Sequence, residues 1–116
     1  MQNRDCQPTT ESHRMIAVIF EVEPYPHHKA SYLEVAAAIK PELEKIPGFI
    51  SVERFQSLTN PDKILSLSFF EDEEAVKRWR TQEKHQEAQQ LGKSEYFQKY
   101  RIRVSSVLRD YGLDNT

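Results

Sequence analysis

The chain has 116 residues, the size of one domain, and carries 16 basic against 18 acidic residues for a formal net charge of -2. That balance argues against a nucleic-acid binder, which needs a basic stripe. The single cysteine, Cys6, rules out an internal disulfide and a cysteine-built metal cluster.

No apolar run approaches the roughly 18 residues of a membrane-spanning helix. With one cysteine, this predicts a protein of the reducing cytoplasm with no membrane partner. Residues 1–14 are polar, lack the apolar core of a signal peptide, and read as a disordered extension. The folded domain is expected over 15–112, with 113–116 frayed.

Met15 to Glu23 predicts a first strand. Ile16, Val18, Phe20 and Val22 lie on one face, and Met15, Ala17, Ile19 and Glu21 on the other. Apolar residues on both faces imply a central strand covered on both sides. Pro24-Tyr25-Pro26 ends it, because proline cannot donate to a sheet ladder.

A helix follows from Lys29 to Lys45. Tyr32, Val35, Ala36, Ile39, Leu43 and Ile46 recur every three or four residues, as one buried stripe requires. Pro41 is expected to kink this helix or split off its last turn. Pro47-Gly48 stops it.

Phe49 to Leu58 predicts a second strand, with Phe49, Ser51, Glu53 and Phe55 on one face and Ile50, Val52 and Arg54 on the other. The turn Thr59-Asn60-Pro61-Asp62 joins it as a hairpin to a third strand, Lys63 to Phe70. Leu65, Leu67 and Phe69 share one face of that strand. Ile64, Ser66, Ser68 and Phe70 share the other, whose small middle leaves room for a helix or a ligand.

Glu71-Asp72-Glu73-Glu74 suits the positive end of a helix dipole. The helix it opens carries Ala75, Val76 and Trp79 on its apolar stripe. A second helical piece is expected from Thr81 or Glu83 to Leu91, and a further short turn over Ser94 to Gln98. Lys99 to Tyr111 then predicts a long last strand in which Tyr100, Ile102, Val104, Ser106 and Leu108 alternate with a charged face holding Arg101, Arg103 and Arg109.

Strand, helix, strand, strand, helix, strand is the split β-α-β order of a ferredoxin-like α+β fold with an antiparallel sheet. Two helices cover one sheet face only, yet the first and third strands are apolar on both. A second copy packed sheet to sheet resolves this, so a homodimer in the form of a dimeric α+β barrel is expected.

The segments MIAVIFEV, PGFISVERFQSL, KILSLSFFEDEEAVKRWR, EKHQEAQQLG and RVSSVLRDYG resemble the antibiotic biosynthesis monooxygenase family of dimeric α+β barrels. The resemblance covers the whole folded part. It implies a cofactor-independent monooxygenase that oxidises a small phenolic or quinol-type aromatic ligand with oxygen and holds no metal or other cofactor. It equally admits a non-catalytic dimer that binds a small ligand or serves stress physiology.

Trp79 matches the helix tryptophan that lines the pocket in the polyketide-oxidising and haem-degrading branches. Where the polyketide oxygenases have an asparagine one turn earlier, this chain has Ala75. Where they have a tyrosine six residues on, it has His85. The haem-degrading branch has a first-strand asparagine where this chain has Ile19 or Phe20, and an iron-ligating histidine where it has Gln89. Haem degradation therefore ranks below oxygenation.

The candidate site is His85 as catalytic base, with Trp79, Phe20, Phe69 and Arg54 as substrate-binding walls. Trp79 reads equally as core packing, since aromatics supply much buried area. His85 reads equally as a surface or helix-packing residue, and it meets Trp79 only if the helix bends near Thr81-Gln82. His27-His28 reads as a surface loop, because no carboxylate or cysteine pattern accompanies it. The chain has no glycine-rich phosphate loop and no nucleophile elbow.

Overall fold

The computed structural model describes residues 14–89 and 97–113, without the side chains of 83–89. Its elements are β1 (Ile16–Pro24), a 3-10 turn (Pro26–His28), α1 (Lys29–Glu44), β2 (Phe49–Gln56), β3 (Ile64–Phe70), α2 (Glu73–Gln89) and β4 (Phe97–Ser106). The four strands form one antiparallel sheet in the order β2-β3-β1-β4. This is the expected ferredoxin-like α+β fold, with β1 and β3 central.

Both helices pack on one face of the sheet. Their apolar stripes meet it as two separate clusters. Ile16, Leu43, Phe70, Ala75 and Val76 make the first, with Val18, Phe49, Val52 and Trp79 packed against it. Val22, Tyr32, Ala36 and Ile64 make the second, joined by Phe20 and Phe97. The period-2 alternation of β1 and the three-to-four spacing of α1 both point at this layer.

α1 runs as one helix through Pro41, which is exposed, so the expected break there is not found. Proline removes one backbone donor. Here its ring faces solvent, while Leu43 beyond it is buried in the core and holds the last turn in place. α2 likewise runs from Glu73 to Gln89 as one helix, where two pieces were expected. Asp72 caps it by accepting a hydrogen bond from the Ala75 N–H at 3.0 Å.

Two β-bulges change the expected faces. In β2 the pairing jumps from Phe49↔Phe70 to Ser51↔Phe69, so Ile50 is the extra residue. The bulge turns Phe49 onto the helix side with Val52, where its ring meets Phe70 at 5.8 Å; strict alternation had placed it with Ser51. In β4 the pairing jumps from Glu23↔Lys99 to Pro24↔Phe97, leaving Gln98 over. Phe97 thereby joins Tyr100 on the helix side. It belongs to the strand, which starts earlier than expected and ends at Ser106 rather than Tyr111.

Candidate functional site

Strand register builds the floor of the site. Arg54 pairs with Ser66, Ser66 with Phe20, and Phe20 with Ile102. These four residues form one rung across the helix-side face. The next rung is Val52, Ser68, Val18 and Val104. Two serines thus occupy the centre of the face, between the two apolar clusters. Ile102 is 52% and Val104 47% exposed, so the β4 side of the face stays open.

The walls come from the helices and the bulged strand ends. Phe20 meets Phe97 and Tyr100, each at 5.9 Å between ring centres, and Phe97 meets Tyr32 of α1 at 5.6 Å. Trp79 of α2 packs on the opposite cluster, beside Val18, and keeps part of its surface free.

Arg54 is the charged member of this face. The small side chain of Ser66 lets it lie inward, and its Nε is buried with no hydrogen-bond acceptor. Its guanidinium is directed at the Tyr32 hydroxyl. Burial pushes that hydroxyl's pKa up, while the charge of Arg54 and its hydrogen bond pull the other way; burial wins. The site therefore joins an aromatic, apolar surface to a cation and a hydroxyl that burial holds protonated.

The structure brings Trp79, Phe20 and Arg54 to the same side of the sheet. It does not bring Phe69 there. Phe69 pairs with Ala17 and Ser51, which face away from the helices, so it does not wall this cleft. The reason is strand alternation: its neighbour Phe70 takes the inward place. His85 lies on α2, and its side chain is outside the described residues. On a continuous helix, positions 79 and 85 stand about 120° apart round the axis. Gln89 is likewise outside the described side chains.

Tyr32, Phe97 and Tyr100 join the site without having been singled out. Tyr32 was visible as a stripe residue of α1, and Tyr100 as a member of the β4 alternation. Phe97 carried no usable signal, because the bulge at Gln98 sets its direction.

A separate shallow depression of about 240 Å³ lies at the sheet end, lined by Glu21, Val22, Glu23, Lys63, Lys99, Tyr100 and Arg101. Its carboxylates already have partners: Glu21 bridges Lys63 and Arg103 at 3.2 and 3.3 Å, and Glu23 meets Lys99 at 3.9 Å. Among the described residues no group of three or more His, Cys, Asp or Glu side chains is placed to hold a metal ion. None of the described helices is long and apolar enough to cross a membrane.

Sheet order and layer arrangement, with aromatic side chains between helices and sheet, define an α+β ferredoxin-like domain. The sequence profile described as antibiotic biosynthesis monooxygenase matches residues 15–91, and the chain belongs to that family. The jasmonate monooxygenase ABM of Pyricularia oryzae is 45% identical over 93 residues, which is 80% of this chain and 43% of that protein. This chain therefore spans less than half the length of that relative.

Rv0793 from Mycobacterium tuberculosis superposes with a TM-score of 0.73 at 16% identity, over 84% of this chain and 99% of that one. SnoaB from Streptomyces nogalater, a cofactor-independent oxygenase, superposes with a TM-score of 0.70 at 12% identity, over 84% of this chain and 96% of that one. At such identities these two establish the shared fold.

Proposed function

We propose that the chain is a monooxygenase that oxidises a small ring-bearing substrate of phenolic or quinol type with molecular oxygen, as a homodimer joined through the open sheet face. The reading is carried by the helix-side sheet face on which Trp79, Phe20 and Arg54 all lie in a chain of this family. The names of the Pyricularia relative and of SnoaB support the reaction class.

The proposed chemistry starts with removal of a proton from the substrate hydroxyl. His85 is the proposed base; on the unbroken α2 it stands about 120° round the axis from Trp79, so it serves a substrate hydroxyl directed away from the Trp79 ring, where a neutral imidazole can accept the proton. The electron-rich anion then reacts with oxygen at the ring C–H para to that hydroxyl, and the phenol becomes a quinone by loss of its C–H and O–H hydrogens. One oxygen atom becomes the new carbonyl, and the other leaves as water with the two hydrogens. The substrate supplies every electron, so the balance needs no added reductant. Phe20 and Trp79 hold the ring away from bulk water.

The test is oxygen uptake with a panel of hydroxylated bicyclic aromatics, quinols and jasmonate, using labelled oxygen gas. The expected product carries one labelled oxygen atom and has lost two hydrogens. A His85→Ala variant that keeps the parent rate removes the base assignment. A second reading, a non-catalytic ligand-binding dimer, is favoured by Ala75. That position is fully buried beneath Gly48 and offers no polar group where the polyketide oxygenases have an asparagine. Saturable binding without uptake for any substrate selects it.

A further inference from the structure

Arg54 is a cation without an anion. A guanidinium stays charged at every pH a protein meets. Among the described residues the salt bridges pair Glu21, Glu23, Glu42 and Glu74 with other lysines and arginines, and none reaches Arg54. Its hydrogen-bond partner is the Tyr32 hydroxyl, a neutral group whose pKa burial raises further. Its Nε has no acceptor at all. Arg54 as a whole is half-buried, and its buried Nε is unfavourable unless something supplies an acceptor.

What fits is set by the chemistry of the rung. A carboxylate offers two oxygens to the planar fork of an arginine, the pairing that this side chain makes best. The Tyr32 hydroxyl accepts from Arg54 and keeps its own proton to donate. Beyond Ser66 the rung turns apolar, with Phe20 and then the half-exposed Ile102. Two strand spacings, about 10 Å, separate the backbones of Arg54 and Phe20. A carboxylate held by Arg54 and carrying an apolar body can span from one to the other.

We propose that the cleft takes an amphipathic monocarboxylate, with Arg54 and Tyr32 binding the carboxylate and the apolar body lying over Ser66 against Phe20 and Ile102. The inference rests on the oxygenase reading in one respect only, that this cleft is the substrate site. Ser66 is small because the ligand crosses it, and Trp79 borders the body from α2.

The test separates binding from turnover. Jasmonate and methyl jasmonate are identical except that the ester has no carboxylate charge; cyclohexylacetate and its methyl ester form a second pair. Binding to the full chain is measured by calorimetry without oxygen, and by the fluorescence of Trp79, the one tryptophan of the chain. At least one acid is expected to bind tenfold or more tighter than its ester. Arg54→Gln should abolish that preference, Arg54→Lys should keep part of it, and Tyr32→Phe should weaken the acid alone. Thermal melting establishes that each variant is folded.

Esters that bind as tightly as their acids overturn the proposal. So does an acid preference that survives Arg54→Gln, and so does failure of both acids to bind. Neither acid carries the ring hydroxyl from which the proposed oxidation starts, so acid-selective binding judges this proposal alone, and oxygen uptake with the hydroxylated aromatics judges the oxygenase reading.

Discussion

A Cβ added to Gly48 would stand 2.7 Å from the Cβ of Ala75. Gly48 also has a φ of 91°, a left-handed conformation that only glycine adopts without strain. The turn after α1 and the first turn of α2 are thereby pressed together. The Glu71 N–H donates to the Gly48 carbonyl at 2.7 Å, and Arg78 donates to the Pro47 carbonyl at 2.9 Å. This contact seats α2, and Trp79 with it, on the sheet. Gly48→Ala adds backbone strain to a core clash, and we expect a loss of about 2–4 kcal/mol. Chemical denaturation measures it. A loss below about 1 kcal/mol would show that α2 slides freely on this turn.

Tyr32 should ionise above the ordinary tyrosine range, because burial disfavours the phenolate more than Arg54 favours it. The folded protein then holds its proton longer than the unfolded chain does. Stability from this group is complete below the unfolded pKa and is lost as pH rises from there through the folded value. Arg54→Gln removes the opposing charge, so the Tyr32 pKa should climb further. Titration of the tyrosine ring signals by nuclear magnetic resonance checks both shifts.

Glu21 shows the opposite sign. A hydrogen bond and the charge of Lys63 hold its carboxyl below the usual range, with Arg103 and Arg101 adding to the effect. Its contribution is present above the unfolded pKa and is lost as pH falls through the folded one. The group lies on the surface, so salt screens it. Lys63→Met should return the Glu21 pKa toward the ordinary value in a carboxyl titration, and added salt should shrink the difference.

The sheet face away from the helices carries Ile19, Leu65, Leu67 and Phe69 at its centre, all only partly buried in one chain. The proposed dimer covers them. Phe69→Asp puts a charge into that interface, and sedimentation should then show a monomer where the parent chain sediments as a dimer. A parent chain that is already monomeric at micromolar concentration rejects the sheet-to-sheet dimer.

Much of this was legible in the sequence, because one-dimensional periodicity carries it. The order of elements, the central place of β1, the hairpin at Asn60-Pro61 and the small centre made by Ser66 and Ser68 all follow from alternation, turn chemistry and apolar spacing. Those signals are local, and the tertiary structure honours them. Trp79, Phe20 and Arg54 fall on one side of the sheet because their elements and faces were already set by that periodicity.

The tertiary structure decided what alternation cannot carry across an irregularity. Single extra residues at Ile50 and Gln98 reverse the faces of the aromatics beside them and bring Phe49 and Phe97 inward. Burial of Leu43 carried α1 past Pro41 against the local preference of proline. Sheet order then set Arg54 opposite Ser66, and helix packing brought Tyr32 over it. An unpaired charge beside a neutral hydroxyl has no signature in one dimension, because it depends on which neighbours the fold leaves out.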